Sequence, residues 1–130
     1  MFLDTIILID FLRGDKKAIS TIKKIEHLPI YTSEINIFEL IEGAYIADWE
    51  VQPHIQKILS LATKMTVLSF DRKSSLKAGM ISGTLTKKGQ KIGEVDCLIA
   101  GIALANGITT IITKNKKHFD KIIEIEVLSY

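Results

Sequence analysis

The feature that most constrains this chain is a run of five β-branched residues at 109–113, Thr-Thr-Ile-Ile-Thr. Such a run is typical of a parallel strand covered on both faces, because a strand with one exposed face alternates polar and apolar residues. Shorter β-branched runs alternate along the chain with longer stretches of helical apolar spacing. The alternation predicts an α/β/α sandwich around a central, mainly parallel and doubly wound sheet of about four to five strands. We expect the 109–113 strand to lie centrally.

The predicted elements follow this alternation from end to end. Strands are predicted at residues 1–4, 29–32, 65–68, 109–113 and 125–128. Helices are predicted at 6–12, 16–26, 34–47, 53–62, 71–87, 94–106 and 116–122, with Ser33 as an N-cap and with Gly14 and Gly107 as C-terminal stops. Because a domain usually needs about 100 residues or more, we expect one domain over residues 1–130.

Charge and cysteine content exclude several classes of protein. Seventeen basic and 15 acidic side chains leave a net charge of +2, so binding to a polyanion needs a local patch, and a histone-like protein is excluded. The single cysteine, Cys97, forms no intrachain disulfide and no cysteine-based zinc site, which suits a reducing cytoplasm. With no basic leader and no apolar run of about 18 residues, we expect a soluble cytoplasmic protein without a signal peptide or a transmembrane helix.

Several polar residues are expected beyond the carboxyl ends of the strands, where open α/β sheets bind their ligands. They are Asp4, Glu39, Asp96, Thr113 and Asn115. Asp96 lies on the apolar stripe of its predicted helix, where an unpaired charge is costly, so we expect it to have a partner. Carboxylates that converge from three segments supply the oxygen ligands that Mg²⁺ or Mn²⁺ prefers.

Each acid taken alone has a second interpretation. Asp4 also suits the N-cap of the helix that follows it. Asp96 and Glu94 also suit the positive end of a helix dipole, and Glu39 with its neighbour Glu42 also fits a solvent-exposed helix face. Their joint placement at one edge of one sheet favours a metal site over unrelated surface acids.

A series of short motifs runs in order through nearly the whole chain. They are Leu3-Asp4-Thr5, Phe11-Leu12-Arg13-Gly14, Thr32-Ser33, Glu39-Leu40, Gly43-Ala44, Gly93-Glu94-Val95-Asp96, Thr113-Lys114-Asn115 and His118-Phe119. The ordered set resembles the PIN domain family and, within it, the VapC class of toxin ribonucleases from toxin-antitoxin pairs. The resemblance implies a metal-dependent endoribonuclease that leaves a 5′-phosphate.

The resemblance also implies roles for particular residues. Asp4, Glu39 and Asp96 fall on the metal-binding positions of the family and would bind one or two Mg²⁺ or Mn²⁺ ions, while Thr113 and Asn115 would hold water or phosphate. Outer positions are then expected for three more residues: Thr5, Glu42 and Glu94.

Asn115 departs from the pattern of the family. Many members have an aspartate at this position, and an amide ligand adds no charge, which leaves the number of ions open. Asp120 compensates only if its helix turns it inward. His118 is expected to be a packing or rim residue rather than a general base.

A group of basic residues in predicted loops and helix ends is expected near the acids. The predicted RNA-binding residues are Arg13, Lys87, Lys88, Lys91, Lys114 and Lys116, with Lys117 and His118 beside them. The alternative is a solvated rim, because lysine runs on loops are more often solubilising than ligand-binding.

Partners are implied mainly by the resemblance. It implies a homodimer and a cognate VapB-like antitoxin, which would lay an apolar helix in a groove and insert a basic side chain among the acids. Tyr45, Ile46 and Trp49 add apolar bulk near the end of the helix that carries Glu39, and we expect them in the core rather than against another chain. No membrane partner is expected.

The sequence argues against two other acid-bearing α/β folds. A receiver domain needs an adjacent acidic pair after its first strand, and an Asp-x-Asp phosphatase needs a second aspartate where Ile6 stands. Two alternatives to a toxin stay open: a PIN-like module that binds RNA or protein without cleavage, suggested by Asn115, and a PIN nuclease of RNA processing.

Overall fold

The computed structural model describes residues 1–47 and 50–130. Its strands are β1 (Phe2–Leu3), β2 (Tyr31–Ser33), β3 (Thr66–Leu68), β4 (Thr110–Ile112) and β5 (Glu126–Leu128). Its helices are α1 (Thr5–Leu12), α2 (Lys16–Ile25), α3 (Glu34–Ala47), α4 (Val51–Ala62), α5 (Arg72–Lys87), α6 (Glu94–Ala105) and α7 (Lys116–Phe119). Every strand and helix predicted from the sequence is present, in the predicted order.

The strands form a single parallel sheet in the order β3-β2-β1-β4-β5. Phe2 of β1 pairs with Tyr31 of β2 on one side and with Ile111 of β4 on the other. The chain moves outward from β1 to β3 and then, after crossing back, from β4 to β5, which is a doubly wound arrangement. β4 is thus an interior strand, as its β-branched run predicts, and β1 occupies the middle position.

Two hydrophobic clusters cover the two faces of the sheet. Successive strand residues point to opposite faces, so Phe2 and Ile111 belong to one cluster, and Leu3 and Ile112 belong to the other. Helices α5 and α6 supply the first cluster, whereas α1, α3 and α4 supply the second. The predicted α/β/α sandwich is confirmed.

Helices α5 and α6 approach each other closely at a glycine. A Cβ atom added at Gly101 of α6 would lie 2.6 Å from the Ala78 Cβ and 2.8 Å from the backbone nitrogen of Ala78 in α5. These distances are too short for any side chain, and the obstacle is backbone, which cannot rotate away. Gly101 therefore fixes the separation of the two helices.

Two helix boundaries differ from the sequence prediction by more than one residue. α4 begins at Val51, so Pro53 lies in its first turn, where the missing amide proton costs no intrahelical hydrogen bond. α7 ends at Phe119 instead of continuing to residue 122. The backbone turns there, because Ile122 and Ile125 pack into the same core as Phe119.

The apolar residues near the end of α3 are a correction to the sequence analysis. Tyr45 is 56% exposed and Ile46 is 76% exposed, so neither lies in the core. The buried position in this turn is Ala44, and helical spacing directs the next two side chains outward. Trp49 lies outside the described residues. Across 1–47 and 50–130, the helices are too short or too polar to cross a membrane.

Candidate active site

Asp4 follows β1 directly, at the carboxyl edge of the middle strand. It occupies the N-cap position of α1, yet its side chain makes no capping hydrogen bond. The buried carboxylate instead accepts a 2.6 Å hydrogen bond from the Thr113 hydroxyl and a 3.3 Å hydrogen bond from the Asn36 side-chain amide. The capping interpretation is therefore wrong, and Asp4 is part of a polar network at the edge of the sheet.

Asn36 connects Asp4 to Glu39. β2 passes into α3 without a loop, and the Ser33 hydroxyl donates a 2.6 Å hydrogen bond to Asn36 Oδ1. This bond orients the Asn36 Nδ2 group, which also donates to the Thr5 hydroxyl at 3.0 Å. Thr5 in turn donates to Glu39 Oε1 at 2.5 Å. A chain of hydrogen bonds from three elements thus holds both carboxylates.

Asp96 lies in the first turn of α6, with its side chain 18% exposed. Its Oδ2 atom is 2.6 Å from His118 Nδ1 and accepts a 3.2 Å hydrogen bond from Asn115 Nδ2. The Asn115 backbone amide donates to the Thr113 hydroxyl at 3.0 Å, and that hydroxyl also binds Asp4. Thr113 therefore links the two halves of the site, and Asp96 has the polar partner that its place on an apolar stripe requires.

The three predicted acids line one pocket of about 330 Å³. The pocket is lined by Asp4, Thr5, Ile6, Ile9, Glu39, Asp96, Lys114 and Asn115. Thr113 is fully buried behind them. The structure therefore brings together all five residues predicted to carry the chemistry.

The acids in this pocket perturb one another. Burial raises the pKa of Asp4, the Thr113 hydrogen bond and the Thr5 amide oppose that rise, and the charge of Asp96 adds to it. Burial also raises the pKa of Glu39, against the Thr5 hydrogen bond and with contributions from Asp4, Asp96 and Glu42. Burial together with neighbouring negative charge, which raises the pKa of a carboxylate, favours a cation beside it.

The donor chemistry of the pocket fits Mg²⁺ or Mn²⁺, because its anionic ligands are all carboxylates. Nevertheless, within the described parts of the chain no three His, Cys, Asp or Glu side chains already form a metal-binding group. Asp4 faces Thr113, Glu39 faces Thr5 and Asp96 faces His118, so the carboxylates point at hydrogen-bond donors rather than at one another. Cation binding therefore requires at least one of these carboxylates to turn.

The predicted outer residues divide into two groups. Thr5 lies in the pocket and bridges Asn36 to Glu39. Glu42 and Glu94 are exposed, and Glu42 reaches the site only through its charge on Glu39.

Asp120 does not compensate for Asn115. It is an exposed residue at the C-cap of α7, and its carboxylate lies 4.0 Å from the Lys116 ammonium, one turn back along the helix. The fourth position of the site therefore carries an amide and no charge.

The predicted RNA-binding residues do not form one continuous patch in contact with the acids. Lys114 lines the carboxylate pocket, and Arg13 lines a neighbouring groove that shares Ile9 and Glu39 with it. The other lysines of the set are exposed; they are Lys87, Lys88, Lys91 and Lys116. Lys88 lines a separate surface cavity beside α5, and Lys91 acts electrostatically on Cys97.

Asn36 had no predicted role, and His118 was predicted to be a packing or rim residue beside the RNA-binding lysines. Asn36 follows Ser33 by three residues, the spacing of a local hydrogen-bonded turn at a helix start, and this was the available signal. His118 follows Asn115 by three residues, and its Nδ1 lies 3.1 Å from the Asn115 amide, so one helical turn brings both side chains to Asp96.

A doubly wound parallel sheet with converging carboxylates at its carboxyl edge defines a class of α/β proteins that bind ligands at the switch of strand order. The family model described as "PIN domain" matches residues 1–124. The chain belongs to the PIN domain family.

Relatives and solved structures agree with this assignment. The chain is 28% identical over 95 residues to the tRNA(fMet)-specific endonuclease VapC of Salmonella typhimurium, which covers 73% of this chain and 70% of that protein. It is 29% identical over 93 residues to Ribonuclease VapC2 of Haemophilus influenzae, which covers 72% of this chain and 69% of that protein.

Among solved structures, the chain is similar to VapBC-1 from nontypeable Haemophilus influenzae, with a TM-score of 0.85, 30% identity and coverage of 98% of this chain and 96% of that chain. VapBC2 from Rickettsia felis, solved with a promoter DNA fragment, has a TM-score of 0.85 at 23% identity and covers 99% of this chain and 97% of that chain. The second likeness shows the fold.

Proposed function

We propose that the protein is the toxin ribonuclease of a VapC-type toxin-antitoxin pair, an endonuclease that hydrolyses RNA with one or two Mg²⁺ or Mn²⁺ ions. The observation that carries the proposal is the meeting of Asp4, Glu39 and Asp96 in one pocket of a PIN domain. The names of the VapC relatives support ribonuclease activity, and the pKa values of Asp4 and Glu39, raised by burial and by neighbouring acids, support a bound cation.

In this proposal Asp4 and Asp96 are the principal metal ligands, and Glu39 completes the set or orients a water molecule. These carboxylates would hold a divalent cation, which would supply an activated water and neutralise the negative charge that develops on the phosphodiester. Thr113 and Asn36 fix the orientation of Asp4 through their hydrogen bonds, and Asn115 and His118 fix that of Asp96. Asn115 also offers an uncharged amide to water or to phosphate.

Basic residues outside the acids would hold the RNA. Lys114 lies at the pocket and Arg13 lies in the adjacent groove, so these two are placed to bind phosphates on either side of the cleaved bond. Lys87, Lys88, Lys91 and Lys116 are exposed and would contribute only to a longer RNA. RNA affinity that stays flat between low and moderate salt would remove all of these contacts from the proposal.

The proposed partner is a VapB-like antitoxin, because the similar solved structures are VapBC proteins. The proposed site of action is the cytoplasm, where RNA substrates are available. We also propose a homodimer, which static light scattering at tens of micromolar protein tests directly; a monomer at that concentration contradicts it.

One alternative rests on a specific residue. Asn115 leaves the fourth position of the site without charge, which also suits a PIN-like module that binds RNA or protein without cleaving it. Metal titration separates the two functions, because the non-cleaving module needs no cation.

The decisive experiment compares cleavage by the wild-type protein and by Asp96→Asn. The relatives named as tRNA(fMet)-specific make initiator tRNA the first substrate to test, beside an unstructured RNA, each with Mg²⁺, Mn²⁺ or EDTA. Asp120→Asn is the matched control, because it makes the same change at an exposed acid that does not contact the pocket.

We expect a fall of about 100-fold or more for Asp96→Asn, which corresponds to at least about 2.7 kcal/mol of transition-state stabilisation, and no change for Asp120→Asn. Equal cleavage by all three proteins would identify a contaminating nuclease. No cleavage by the wild type, without metal binding, would favour the non-cleaving module.

A further inference from the structure

Lys114, which the proposed function assigns to RNA binding, forms a cluster with two side chains that have no role in that proposal, Asp10 and Tyr130. Asp10 Oδ2 accepts a 2.8 Å hydrogen bond from the Lys114 ammonium and a 2.6 Å hydrogen bond from the Tyr130 hydroxyl. The Lys114 nitrogen also lies 4.7 Å from the centroid of the Tyr130 ring. One carboxylate oxygen and one aromatic face therefore hold the same lysine.

The cluster lies at the mouth of the carboxylate pocket. Lys114 follows Thr113 in the chain and lines the pocket with Asp4, Glu39 and Asp96. Its side chain is 45% exposed, whereas the Asp10 side chain is only 18% exposed. Lys114 thus presents a cation both to solvent and to the pocket, and Asp10 anchors it from the protein side.

Lys114 lies close enough to the acids to compete with a cation for them, and Asp10 gives its ammonium another partner. A lysine side chain is long and flexible, and it carries a compact positive charge. Beside three carboxylates, a free ammonium would turn inward and pair with them, where it would compete with a divalent cation. The bond to Asp10 and the cation–π contact with Tyr130 give the ammonium another partner outside the pocket.

Held outside, the ammonium is available to an anion that approaches the pocket from solvent. A phosphate of RNA beside the cleaved bond has the charge and the position to meet it. The Lys114 hydrogen bond lowers the pKa of Asp10 first, and the Tyr130 hydrogen bond lowers it further, so this carboxylate keeps its charge.

We propose that Asp10 and Tyr130 are positioning residues that hold the Lys114 ammonium at the mouth of the carboxylate pocket, away from the metal position and ready for an RNA phosphate. The inference rests on the proposed nuclease function and deepens it. It assigns a role to two residues that contact neither the acids nor the predicted ligand positions.

The first test measures Mn²⁺ binding to the purified protein without RNA, by calorimetry or electron paramagnetic resonance. Asp10→Asn removes the anchoring charge, so the lysine turns inward, and we expect Mn²⁺ affinity to fall about threefold to tenfold. The double variant Asp10→Asn with Lys114→Met has no lysine to turn inward, so its affinity should return to the wild-type value. Glu124→Gln is the matched control, because Glu124 holds Lys77 at the same 2.8 Å distance on another surface.

The second test measures RNA affinity as a function of salt, in EDTA to prevent cleavage. Loss of one phosphate contact reduces the slope of log affinity against log salt by about 0.7 for single-stranded RNA. We expect this reduction for Lys114→Met and no reduction for Lys77→Met. In cleavage assays, Lys114→Met should raise KM with little change in kcat. In the Mn²⁺ binding test, Tyr130→Phe should lower the affinity, but by less than Asp10→Asn does.

Either of two results overturns the inference. One is an Mn²⁺ affinity that Asp10→Asn leaves unchanged, or that the double variant fails to restore. The other is a salt slope that Lys114→Met leaves unchanged. Failure of the proposed function is read separately, from the absence of cleavage by the wild type, and neither binding experiment depends on cleavage.

Discussion

The Asp4 side and the Asp96 side of the pocket are built in different ways. Asp4 is buried and accepts its hydrogen bonds from a hydroxyl and an amide that are themselves buried, one directly after β4 and the other on α3. Asp96 is bonded by His118 and Asn115, which are partly exposed and lie on or next to the short helix α7. One carboxylate is held by the scaffold, and the other by a surface segment.

The difference assigns different tasks to the two sides. Non-titrating donors that are packed on all sides fix Asp4 in one orientation, so it can serve as a rigid reference for a cation. A histidine and an asparagine at the surface can move, so Asp96 can exchange these partners for a ligand at low cost. We therefore expect substitutions on the Asp4 side to affect folding and substitutions on the Asp96 side to affect chiefly activity.

The largest effect on stability is expected from Asn36→Leu. It removes the amide that binds Asp4 and Thr5 and accepts from Ser33, and leaves buried polar groups without a partner, which should lower the free energy of unfolding by about 3 kcal/mol. Denaturant unfolding measures this change in the free energy of unfolding. Gln56→Leu is the control, since Gln56 is an exposed amide on α4 and should change stability by less than about 0.5 kcal/mol. Equal losses in both variants would contradict the rigid account of Asp4.

A smaller loss is expected from Thr113→Val, which keeps the shape of the side chain and removes its hydroxyl. Asp4 then loses its shortest hydrogen bond, and we expect about 1.5 kcal/mol less stability in denaturant unfolding. Thr113→Ser restores the hydroxyl and should recover most of the loss. A valine variant as stable as the wild type would show that the hydrogen bond from Thr113 to Asp4 does not contribute to stability.

The pH dependence of stability without metal sharpens the comparison further. Because the pKa of Asp4 is raised on folding, the folded protein binds this proton more tightly than the unfolded chain does. The resulting stabilisation is complete below the pKa that Asp4 has in the unfolded chain. It is lost as the pH rises through the higher pKa that Asp4 has in the folded protein. Asp4→Asn removes this loss, so its stability relative to wild type should increase as the pH rises above about 4 in EDTA.

Urea unfolding at a series of pH values gives this relative stability, and saturating Mn²⁺ should abolish its dependence on pH. A relative stability that stays constant across the pH range would show that the pKa of Asp4 is not raised on folding. Glu39→Gln should behave in the same way, since burial raises the pKa of Glu39 as well.

The smallest effect on stability is expected from His118→Gln on the Asp96 side. Glutamine keeps a hydrogen-bond donor near the Asp96 carboxylate, and the position is partly exposed. The free energy of unfolding should therefore change by less than about 0.5 kcal/mol. Cleavage should fall about tenfold, as expected for a residue that orients a metal ligand. A stability loss as large as that of Thr113→Val would make the two sides equivalent.

The sequence predicted the fold well because each element has a local signal. The β-branched run at 109–113 and the helical apolar spacings do not depend on contacts with distant residues. The convergence of Asp4, Glu39 and Asp96 was also predictable, because carboxyl ends of parallel strands meet at one edge. The exposure of Tyr45 and Ile46 was missed, because hydropathy alone does not distinguish a core position from a surface position at a helix end.

Contacts within the site were less predictable, because they join residues that are far apart in sequence. Asn36 binds Asp4 across 32 positions, and Tyr130 binds Asp10 across 120 positions. Such pairs depend on which face each helix turns toward the sheet, and one residue of rotation would separate them. Spacing within a helix predicts only which side chains share a face.

Gly101 has a mechanical consequence for the pocket. It lies five residues after Asp96 on α6, about 7.5 Å along the axis, and its contact with Ala78 leaves no space for the helix to slide toward α5. α6 is therefore held in place on that side, and adjustment of the site to its substrate falls to residues 115–119. A residue without a side chain, more than one turn from the pocket, thus sets the position of the helix that carries Asp96.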